Sequence, residues 1–344
     1  MSTMLNEFLS APDVMREVLK NNKQVVAEIA KVFKARNLSN ITTVARGTSD
    51  NAATYFKYIV EAVGGIMVSK FTPSITTVYD SKVNLGNNMV LAISQSGMST
   101  DTLMVVERAK ETGAMTVAVT NDPQSPLAKL ADYHIYLEAG EERSVSATKT
   151  FVAELSSMYL LANALSRVTA KMNLAEIPPM LEEFLAKLNA TMPSFAAETK
   201  DLNNFVIMTR GLCQGIASEL SLKLMENCYK FTRPFSTCEF MHGPIAMVEE
   251  GTVIMMLAPD SEFKAEFIDM ATRLTLLGAK IVAFTDIKEI EEIAYASYKM
   301  PSCRGMVTPF VYTMAVELYV AYLAEALGIN PDAPRNRKKV TITR

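Results

Sequence analysis

The chain carries the same sequence pattern twice. TTVARGTSDNAATYFKYIVE, which begins at Thr42, aligns with FVIMTRGLCQGIASELSLKLME, which begins at Phe205, so that Arg46 falls on Arg210. KETGAMTVAVTND (110–122) likewise aligns with LTLLGAKIVAFTD (274–286), and the offset is the same within one residue. A repeat of this length predicts two copies of one domain rather than a single fold of 344 residues.

Short β-branched runs alternate with helical patterns along each copy. In the first copy, the predicted strands are 41–45, 89–93, 115–119 and 134–138. Helical patterns such as Asn51–Val63 and Thr102–Thr112 lie between these runs. The alternation predicts the α/β class, with two tandem doubly wound domains that each contain a mostly parallel sheet flanked by helices.

The repeat also divides the chain into segments. A helical stretch that contains Pro178 and Pro179 lies between the two copies and is the predicted connector. The predicted segments are an N-terminal helical segment (1–35), a first domain (36–165), a helical connector (166–200), a second domain (201–329) and a C-terminal tail (330–344). Each domain is long enough to bury a core of its own.

The composition argues against several classes of protein. The formal net charge is −3, so the bulk charge gives no reason to expect a nucleic-acid partner. Four cysteines without C-x-x-C spacing and only two histidines predict neither a metal site nor a disulfide framework. No apolar run approaches the roughly 20 residues that span a bilayer, and the first residues lack a signal-peptide pattern. We therefore expect a cytoplasmic protein with no membrane partner.

The stretch SQSGMSTDT (94–102) follows a predicted strand and precedes a helical pattern. Ligands of open parallel sheets bind at this edge, where Gly97 lets the backbone turn tightly and the amides of a helix start favour an anion. The side chains that can donate to a phosphate here are those of Ser94, Gln95, Ser96 and Ser99. The alternative is that Ser99 or Thr100 simply caps the following helix.

The rest of the chain narrows the choice of ligand. The second copy reads LAPDSEF (257–263) at the equivalent place, where the carboxylate of Asp260 would repel an anion, so only the first copy is expected to bind phosphate. Neither the Walker lysine motif nor the G-x-G-x-x-G fingerprint occurs, which disfavours nucleotides. Thr48 and Ser49, and the loop EERSVSATKTF (141–151), extend the polar edge, although capping explains Thr48 and Ser49 equally well.

The second copy carries groups suited to acid–base chemistry. Glu219, Lys223 and Glu226 share one face of the helix predicted at 215–230, because they are four and three residues apart. The alternative is a solvated ion pair. His242 follows on a predicted loop, where a histidine is often structural. Together, a carboxylate, an imidazole and a phosphate pocket suit proton transfer between adjacent carbons of a sugar, and a lysine would add an imine to an open-chain ketose.

These motifs resemble the sugar isomerase (SIS) family. The blocks that carry the resemblance are RGTSDNAA, SQSGMSTDT, VSATKTF, ELSLKLMEN, CEFMHGPIAM and PRNRKKVT, in the family's order and across essentially the whole chain. The family includes the isomerase half of glucosamine-6-phosphate synthase and relatives that lack the glutaminase half. The resemblance implies tandem SIS domains, a small sugar-phosphate ligand, and catalysis without a cofactor or metal.

The resemblance also implies roles for single residues. Glu226, in the K-L-x-E motif, would transfer the proton between C1 and C2. His242, in E-x-x-H-G-P, would assist ring opening from the partner subunit, which makes a homodimer the smallest working unit. Lys339 would form an imine with the ketose, with Lys338 as the alternative register. The implied substrate-binding residues are Thr48, Ser49, Ser94, Gln95, Ser96, Ser99, Val145, Ala147 and Lys223.

A few positions depart from the family pattern. Met98 replaces an acidic residue, and Ala147 stands where a serine would contact the sugar. Arg337 and Lys338 replace a leucine and a small residue before the lysine. These departures leave the implied phosphate site intact and leave the identity of the sugar open.

The implied function is that of a phosphosugar isomerase or deaminase acting on an amino-sugar or ketose 6-phosphate, of the glucosamine 6-phosphate and fructose 6-phosphate type. MSTMLNEF contains no cysteine, so we expect no glutaminase activity. The alternative enzyme is a deglycase that splits fructosamine or glucosamine adducts of amino acids, although the ending NPDAPRNRKKVTITR is closer to the deaminases. A non-catalytic sugar-phosphate sensor is a further class, but it would not need Glu226, His242 and Lys339 together.

Overall fold

Two parallel β-sheets of five strands each organise the structure, a computed structural model that describes residues 2–166 and 174–336. The chain divides into two units. The N-terminal unit contains the described residues of 9–178, and the C-terminal unit contains those of 1–8 and 179–336. Every strand pairing is parallel and helices flank both sheets, so the predicted tandem α/β fold is confirmed.

Strands and helices alternate along the first half of the chain. The strands are β1 (Asn40–Val44), β2 (Met67–Lys70), β3 (Asn88–Ile93), β4 (Met115–Thr120) and β5 (Tyr133–Tyr136). The helices are α1 (Thr3–Leu9), α2 (Ala11–Asn21), α3 (Lys23–Ala35), α4 (Gly47–Ile59), which continues into a π-helical turn (Val60–Gly64), α5 (Ser74–Thr77), α6 (Thr100–Glu111), α7 (Pro126–Leu130) and α8 (Lys149–Leu165). The strand order in the sheet is β2-β1-β3-β4-β5.

The second half of the chain repeats this arrangement. The strands are β6 (Phe205–Thr209), β7 (Thr232–Ser236), β8 (Val253–Ala258), β9 (Lys280–Thr285) and β10 (Ala296–Lys299). The helices are α9 (Ile177–Thr199), α10 (Gln214–Cys228), α11 (Thr237–Met241), α12 (Lys264–Leu276), α13 (Lys288–Ile293) and α14 (Thr308–Ala326). Short 3-10 turns lie at Leu174–Glu176, Gly211–Cys213, Pro244–Met247 and Gly305–Val307. The order β7-β6-β8-β9-β10 matches the first sheet position by position.

The central strands are buried on both faces. Every residue of β4 and β8 is buried, and so is β3 from Met89 to Ile93. A parallel sheet covered by helices on both sides requires such continuous apolar runs, which is why β3 and β4 are readable from the sequence. The sequence did not predict β2, because this edge strand buries only Val68 of its four residues.

Two long apolar helices form the cores of the units. In the N-terminal unit, α8 packs against α2, α3 and α4. In the C-terminal unit, α14 packs against α10. The stretch Gly305–Ala326 is long and apolar enough to cross a membrane, but 89% of its most apolar window is buried inside the protein, as in the core helix of a soluble protein. Since α14 covers α10, one face of α10 is removed from water.

The N-terminal helical segment is shared between the two units. The carboxylate of Asp332 accepts hydrogen bonds from the backbone amides of Thr3 (2.7 Å) and Met4 (2.9 Å), and so holds the start of α1 in the C-terminal unit. Helices α2 and α3 belong to the N-terminal unit. In the predicted connector, α9 begins with prolines in its first turn, where a missing N–H costs nothing. Residues 167–173 lie outside the described part of the chain.

Candidate active site

The N-terminal sheet has a crevice at its carboxyl edge. After β1 the chain moves outward to β2 on one side, and after β3 it moves to β4 on the other. Such a reversal leaves the ends of two neighbouring strands open between their helices, and ligands of open α/β sheets bind there. The segments 45–49 and 94–99 follow β1 and β3, so the structure brings the two predicted phosphate-contacting stretches to this crevice.

Gly97 fixes the shape of the loop after β3. Its φ is +63°, and a Cβ there would lie 2.2 Å from the Oγ of Ser125. The carbonyl of Gly97 accepts a hydrogen bond from the amide of Leu127 (3.2 Å), and that of Gln95 accepts one from Asn121 (2.8 Å). The loop is therefore anchored to the turn that follows β4, and its shape is set before any ligand binds.

Ser99 does not cap α6, contrary to the capping alternative. It occupies the N-cap position, but its hydroxyl donates to the carboxylate of Asp101 (2.7 Å). Asp101 also accepts hydrogen bonds from the amide of Thr102 (2.9 Å) and from the Nε of Arg46 (2.9 Å). This carboxylate ties the turn after β1 to the turn after β3.

Asp101 and Arg46 lie at this crevice, but the sequence analysis did not include them among the candidate site residues. The side chain of Asp101 is 3% exposed, whereas that of Arg46 is 52% exposed. Burial opposes ionisation of Asp101, but the hydrogen bonds from Ser99 and Arg46 and the charge of Arg46 outweigh it, so the pKa of this carboxyl is lowered. The sequence signal that pointed to Arg46 was its alignment with Arg210 at the same position of the repeat.

Ser94, Gln95 and Ser96 lie half-buried around the same loop. The hydroxyl of Ser96 accepts a hydrogen bond from the amide of Met98 (3.3 Å), and the amide of Gly97 donates to the carbonyl of Ser94 (3.0 Å). These bonds curl the backbone into a tight turn, and the three residues remain partly accessible. A tight turn with hydroxyls and a helix start is suited to holding an anion.

The equivalent edge of the C-terminal unit is filled. A Cβ on Gly47 would meet nothing within 4 Å, but one on Gly211 would lie 2.7 Å from the ring of Phe263. The cavity left at this edge is about 20 Å³. Asp260, which the sequence predicted to repel an anion, lies 3.4 Å from the guanidinium of Arg304. Filling by Phe263 opposes a phosphate site here.

A buried carboxylate shapes the loop that contains Val145 and Ala147. Glu142 accepts hydrogen bonds from the amides of Thr148 (2.9 Å) and Thr150 (3.2 Å) and from both of their hydroxyls. Along this loop, buried positions alternate with accessible ones, and Val145 and Ala147 are among the accessible ones. The loop is therefore fixed with these two side chains partly open to a ligand.

Thr48 and Ser49 begin α4 but differ in their surroundings. Thr48 is half-buried, whereas Ser49 is 7% exposed. The hydroxyl of Ser49 donates to the carboxylate of Glu154 on α8 (2.7 Å). Neither Thr48 nor Ser49 caps α4, whose N-cap residue is Arg46. Ser49 thus links α4 to the core helix, and Thr48 is the more accessible of the two predicted sugar-lining residues.

The acid–base cluster of the C-terminal unit is buried rather than solvated. The Nζ of Lys223 lies 3.1 Å from Glu219 and 3.7 Å from Glu226. The exposed fractions of the three side chains are 1% for Lys223, 0% for Glu219 and 14% for Glu226. Because these side chains are buried, the solvated ion-pair alternative is wrong. Only Glu226 has an appreciable accessible edge, and this edge is where the cluster can meet a substrate.

His242 lies at the end of α11, in the same unit as the cluster. Its backbone amide donates to the carbonyl of Glu239 (3.1 Å), and the hydroxyl of Ser236 caps the start of α11. Gly243 follows with a φ of +147°, which ends the helix and turns the chain. His242 itself is exposed, so its imidazole is accessible to a substrate or to another subunit.

Lys338 and Lys339 lie outside the described residues. The last described part of the tail contacts Tyr229, the residue that ends α10 in a left-handed conformation. The amide of Arg335 donates to the Tyr229 hydroxyl (3.0 Å), and its guanidinium stacks over the ring at 3.9 Å. The tail is therefore held at the end of the helix that carries Glu226.

The fold and these residues define a class of protein: tandem parallel α/β domains, with a polar crevice at the strand ends of one unit and a buried carboxylate–lysine cluster in the other. The SIS domain family profile matches residues 34–164 and 200–317. These matches cover more than half of the chain, and the chain belongs to the SIS domain family.

Named relatives agree with this assignment. A glutamine–fructose-6-phosphate aminotransferase [isomerizing] of Thermococcus kodakarensis is 29% identical over 98% of this chain and 58% of its own length. The chain thus spans a little over half the length of the curated relatives it matches. A crystal structure from Silicibacter pomeroyi, provisionally named a phosphosugar isomerase, is 30% identical with a TM-score of 0.84 and covers 96% of this chain and 100% of its own. A glucosamine-6-phosphate deaminase of Thermotoga maritima shares the fold, at 22% identity, a TM-score of 0.79, and coverage of 99% and 100%.

Proposed function

We propose that the protein moves a proton between C1 and C2 of a sugar 6-phosphate, as an aldose–ketose isomerase or an amino-sugar-phosphate deaminase that uses no cofactor. The substrate type is glucosamine 6-phosphate or fructose 6-phosphate. The observation that carries the proposal is the buried cluster on α10, where Glu226 alone keeps an accessible edge. The names of its relatives support it. Four free cysteines favour the reducing cytoplasm as its location.

Glu226 is the proposed base. A general base must come within hydrogen-bond reach of the proton that it removes, and it must hold one geometry while it does so. The accessible edge of Glu226 provides the reach, and the ammonium of Lys223, 3.7 Å away, provides the fixed geometry. Lys223 therefore positions the base, and Glu219, 3.1 Å from the same ammonium, positions Lys223.

The phosphate is proposed to bind at the loop after β3. Ser96→Ala combined with Ser99→Ala is expected to raise the KM for a 6-phosphosugar. The Ser96 hydroxyl can no longer donate a charge-assisted hydrogen bond, which costs about 1.5–3 kcal/mol, and Asp101 loses the Ser99 hydroxyl that holds its carboxylate. Ser261→Ala is a matched control, since the Ser261 hydroxyl accepts a bond from Phe263 as that of Ser96 does from Met98. Calorimetry that gave the same affinity for the double variant and the wild type would contradict the assignment.

The proposed imine-forming residue is Lys339, with Lys338 as the alternative. Arg335 is anchored to the end of α10, and the four residues from Arg335 to Lys339 span at most about 14 Å. This length of chain would allow the amine to meet a substrate that Glu226 also touches. A lysine imine activates an open-chain ketose for transfer of the neighbouring proton.

Borohydride added together with fructose 6-phosphate is expected to trap a covalent adduct on Lys339 or Lys338. The hydride reduces the imine to a stable secondary amine, which peptide mass spectrometry locates. Lys339→Met and Lys338→Met then show which lysine reacts. An enzyme that is active but gives no adduct would favour the deglycase over the isomerase–deaminase.

His242 is proposed to act in the site of a partner subunit, within a homodimer. Its exposure on a loop supports this role. Mixing inactive Glu226→Gln with inactive His242→Ala is expected to restore part of the activity, because one site of each mixed dimer then holds both intact groups. If verified subunit exchange restored nothing, the shared site would be refuted.

The reaction itself is tested with glucosamine 6-phosphate. Incubation is expected to release ammonia and fructose 6-phosphate in equal amounts, measured by coupled assays. Turnover of a 6-phosphorylated amino-acid adduct in place of glucosamine 6-phosphate would make the protein a deglycase. Tight binding of both compounds without turnover would make it a sugar-phosphate sensor.

A further inference from the structure

Arg46 reaches across the crevice of the N-terminal sheet. It follows β1 and stands at the N-cap of α4, while its Nε donates to Asp101 in the first turn of α6 (2.9 Å). Asp101 in turn holds the hydroxyl of Ser99. The guanidinium therefore contacts the same carboxylate as Ser99 of the proposed phosphate loop, at the crevice of the sheet.

The pairing with Asp101 uses only part of this guanidinium. Arginine has five N–H donors, and in the described part of the chain the Arg46 side chain hydrogen-bonds to Asp101 alone, through Nε. The other four donors are on the two terminal nitrogens, and the side chain is 52% exposed. A half-exposed arginine whose Nε is held by a buried carboxylate has a fixed orientation and spare donors.

Asp101 would oppose a phosphate in the loop unless its charge were balanced. Its carboxylate lies within 2.7 Å of the Ser99 hydroxyl, and its lowered pKa keeps it ionised near neutral pH. Two like charges in one crevice repel each other, whereas a guanidinium beside them attracts both. A phosphate site that contains Asp101 needs a cation, and Arg46 is the cation in contact with it.

The second copy supplies an internal comparison. Arg210 has nearly the same backbone conformation, with φ/ψ of −149°/148° against −138°/154° for Arg46. Arg210 also pairs with a helix carboxylate, Glu266 (3.4 Å), but it stacks on the ring of Phe263 at 5.3 Å and is only 28% exposed. The pair by itself is thus part of the domain's architecture. What distinguishes the first copy is an arginine that faces an open edge instead of a phenylalanine.

We propose that Arg46 is a phosphate-binding residue, whose terminal guanidinium nitrogens donate to the 6-phosphate of the substrate while Asp101 holds its Nε. This inference rests on the proposed phosphate site. It explains how a loop without a lysine, and with a carboxylate beside it, accepts a dianion. It also assigns a specificity role, since Arg46 favours phosphorylated over unphosphorylated sugars.

The test measures binding of inorganic phosphate, fructose 6-phosphate and fructose by calorimetry. Arg46→Met is expected to weaken the binding of both phosphate-containing ligands by about 10- to 100-fold, the equivalent of one charge-assisted hydrogen bond, and to leave the binding of fructose unchanged. Arg210→Met is the matched control, and it is expected to keep phosphate affinity within two-fold. Arg46→Lys keeps the positive charge but loses the paired donors of the guanidinium, so its phosphate affinity is expected to lie between those of Arg46→Met and the wild type.

Each remaining outcome decides the matter. Unchanged phosphate affinity in folded Arg46→Met, or an equal loss in Arg210→Met, would overturn the proposal and leave Arg46 as a structural residue. If Arg46→Met does not fold, Arg46→Lys with wild-type phosphate affinity would overturn it instead. A wild type that binds no phosphate overturns it as well. A wild type that binds phosphate through Arg46 but turns over neither 6-phosphosugar supports Arg46 and refutes only the proposed function.

Discussion

Glu226→Gln is expected to abolish exchange of the C2 proton of a 6-phosphosugar with solvent deuterium, while the substrate still binds within a few-fold of the wild type. Glutamine has nearly the same shape as glutamate but cannot accept the proton as a carboxylate does. Loss of a positioned general base typically lowers a rate by about 10²- to 10⁴-fold. Deuterium incorporation followed by NMR measures the exchange, and calorimetry measures the binding.

Glu219→Gln provides the matched control on the same helix. Glu219 contacts the same ammonium as Glu226, at 3.1 Å, but it is 0% exposed and cannot touch a substrate. This variant removes the same charge from the cluster, so it is expected to lower stability yet retain measurable exchange in the folded protein. Wild-type exchange in Glu226→Gln, or equal loss in the two variants, would rule out Glu226 as the base.

The fold was predictable because its signals are periodic and repeated. The continuous apolar runs of β3 and β4 and the alternation with helices appear twice in the sequence, and the two sheets have the same strand order. The edge strand β2 was not predictable in this way, since a strand that buries one residue in four leaves no apolar run. Periodicity reports burial, and edge strands are the least buried.

The candidate site was predictable only in part, because sequence spacing reports neighbours on one helix and not contacts between distant segments. The spacing of Glu219, Lys223 and Glu226 placed them on one face, but their burial depends on the tertiary packing around α10, which spacing does not report. The contact between Arg46 and Asp101 joins residues 55 positions apart. The ring of Phe263 that closes the second copy's edge is likewise a tertiary feature.

Lys223→Met is expected to destabilise the C-terminal unit strongly. Methionine has a similar length and fits the buried site, but it removes the ammonium that lies 3.1 Å from the fully buried Glu219 and 3.7 Å from Glu226. Breaking a buried pair by removing one partner costs about 3–5 kcal/mol, because a carboxylate then stays buried without its cation. Chemical unfolding followed by circular dichroism measures the loss.

Two comparisons test whether that loss comes from the buried ion pair or from removing a lysine in general. Lys288→Met breaks an exposed i,i+4 pair with Glu292 (3.2 Å; exposed fractions 83% and 61%) and is expected to change stability by no more than about 1 kcal/mol. Lys223→Met combined with Glu219→Gln neutralises the carboxylate as well, and is expected to recover much of the stability lost in the single variant. If the stability lost in the double variant equalled the sum of the losses in the two single variants, the ion pair between Lys223 and Glu219 would not contribute to stability. Lys223 would then stabilise α10 through packing, and its charge would act only on Glu226.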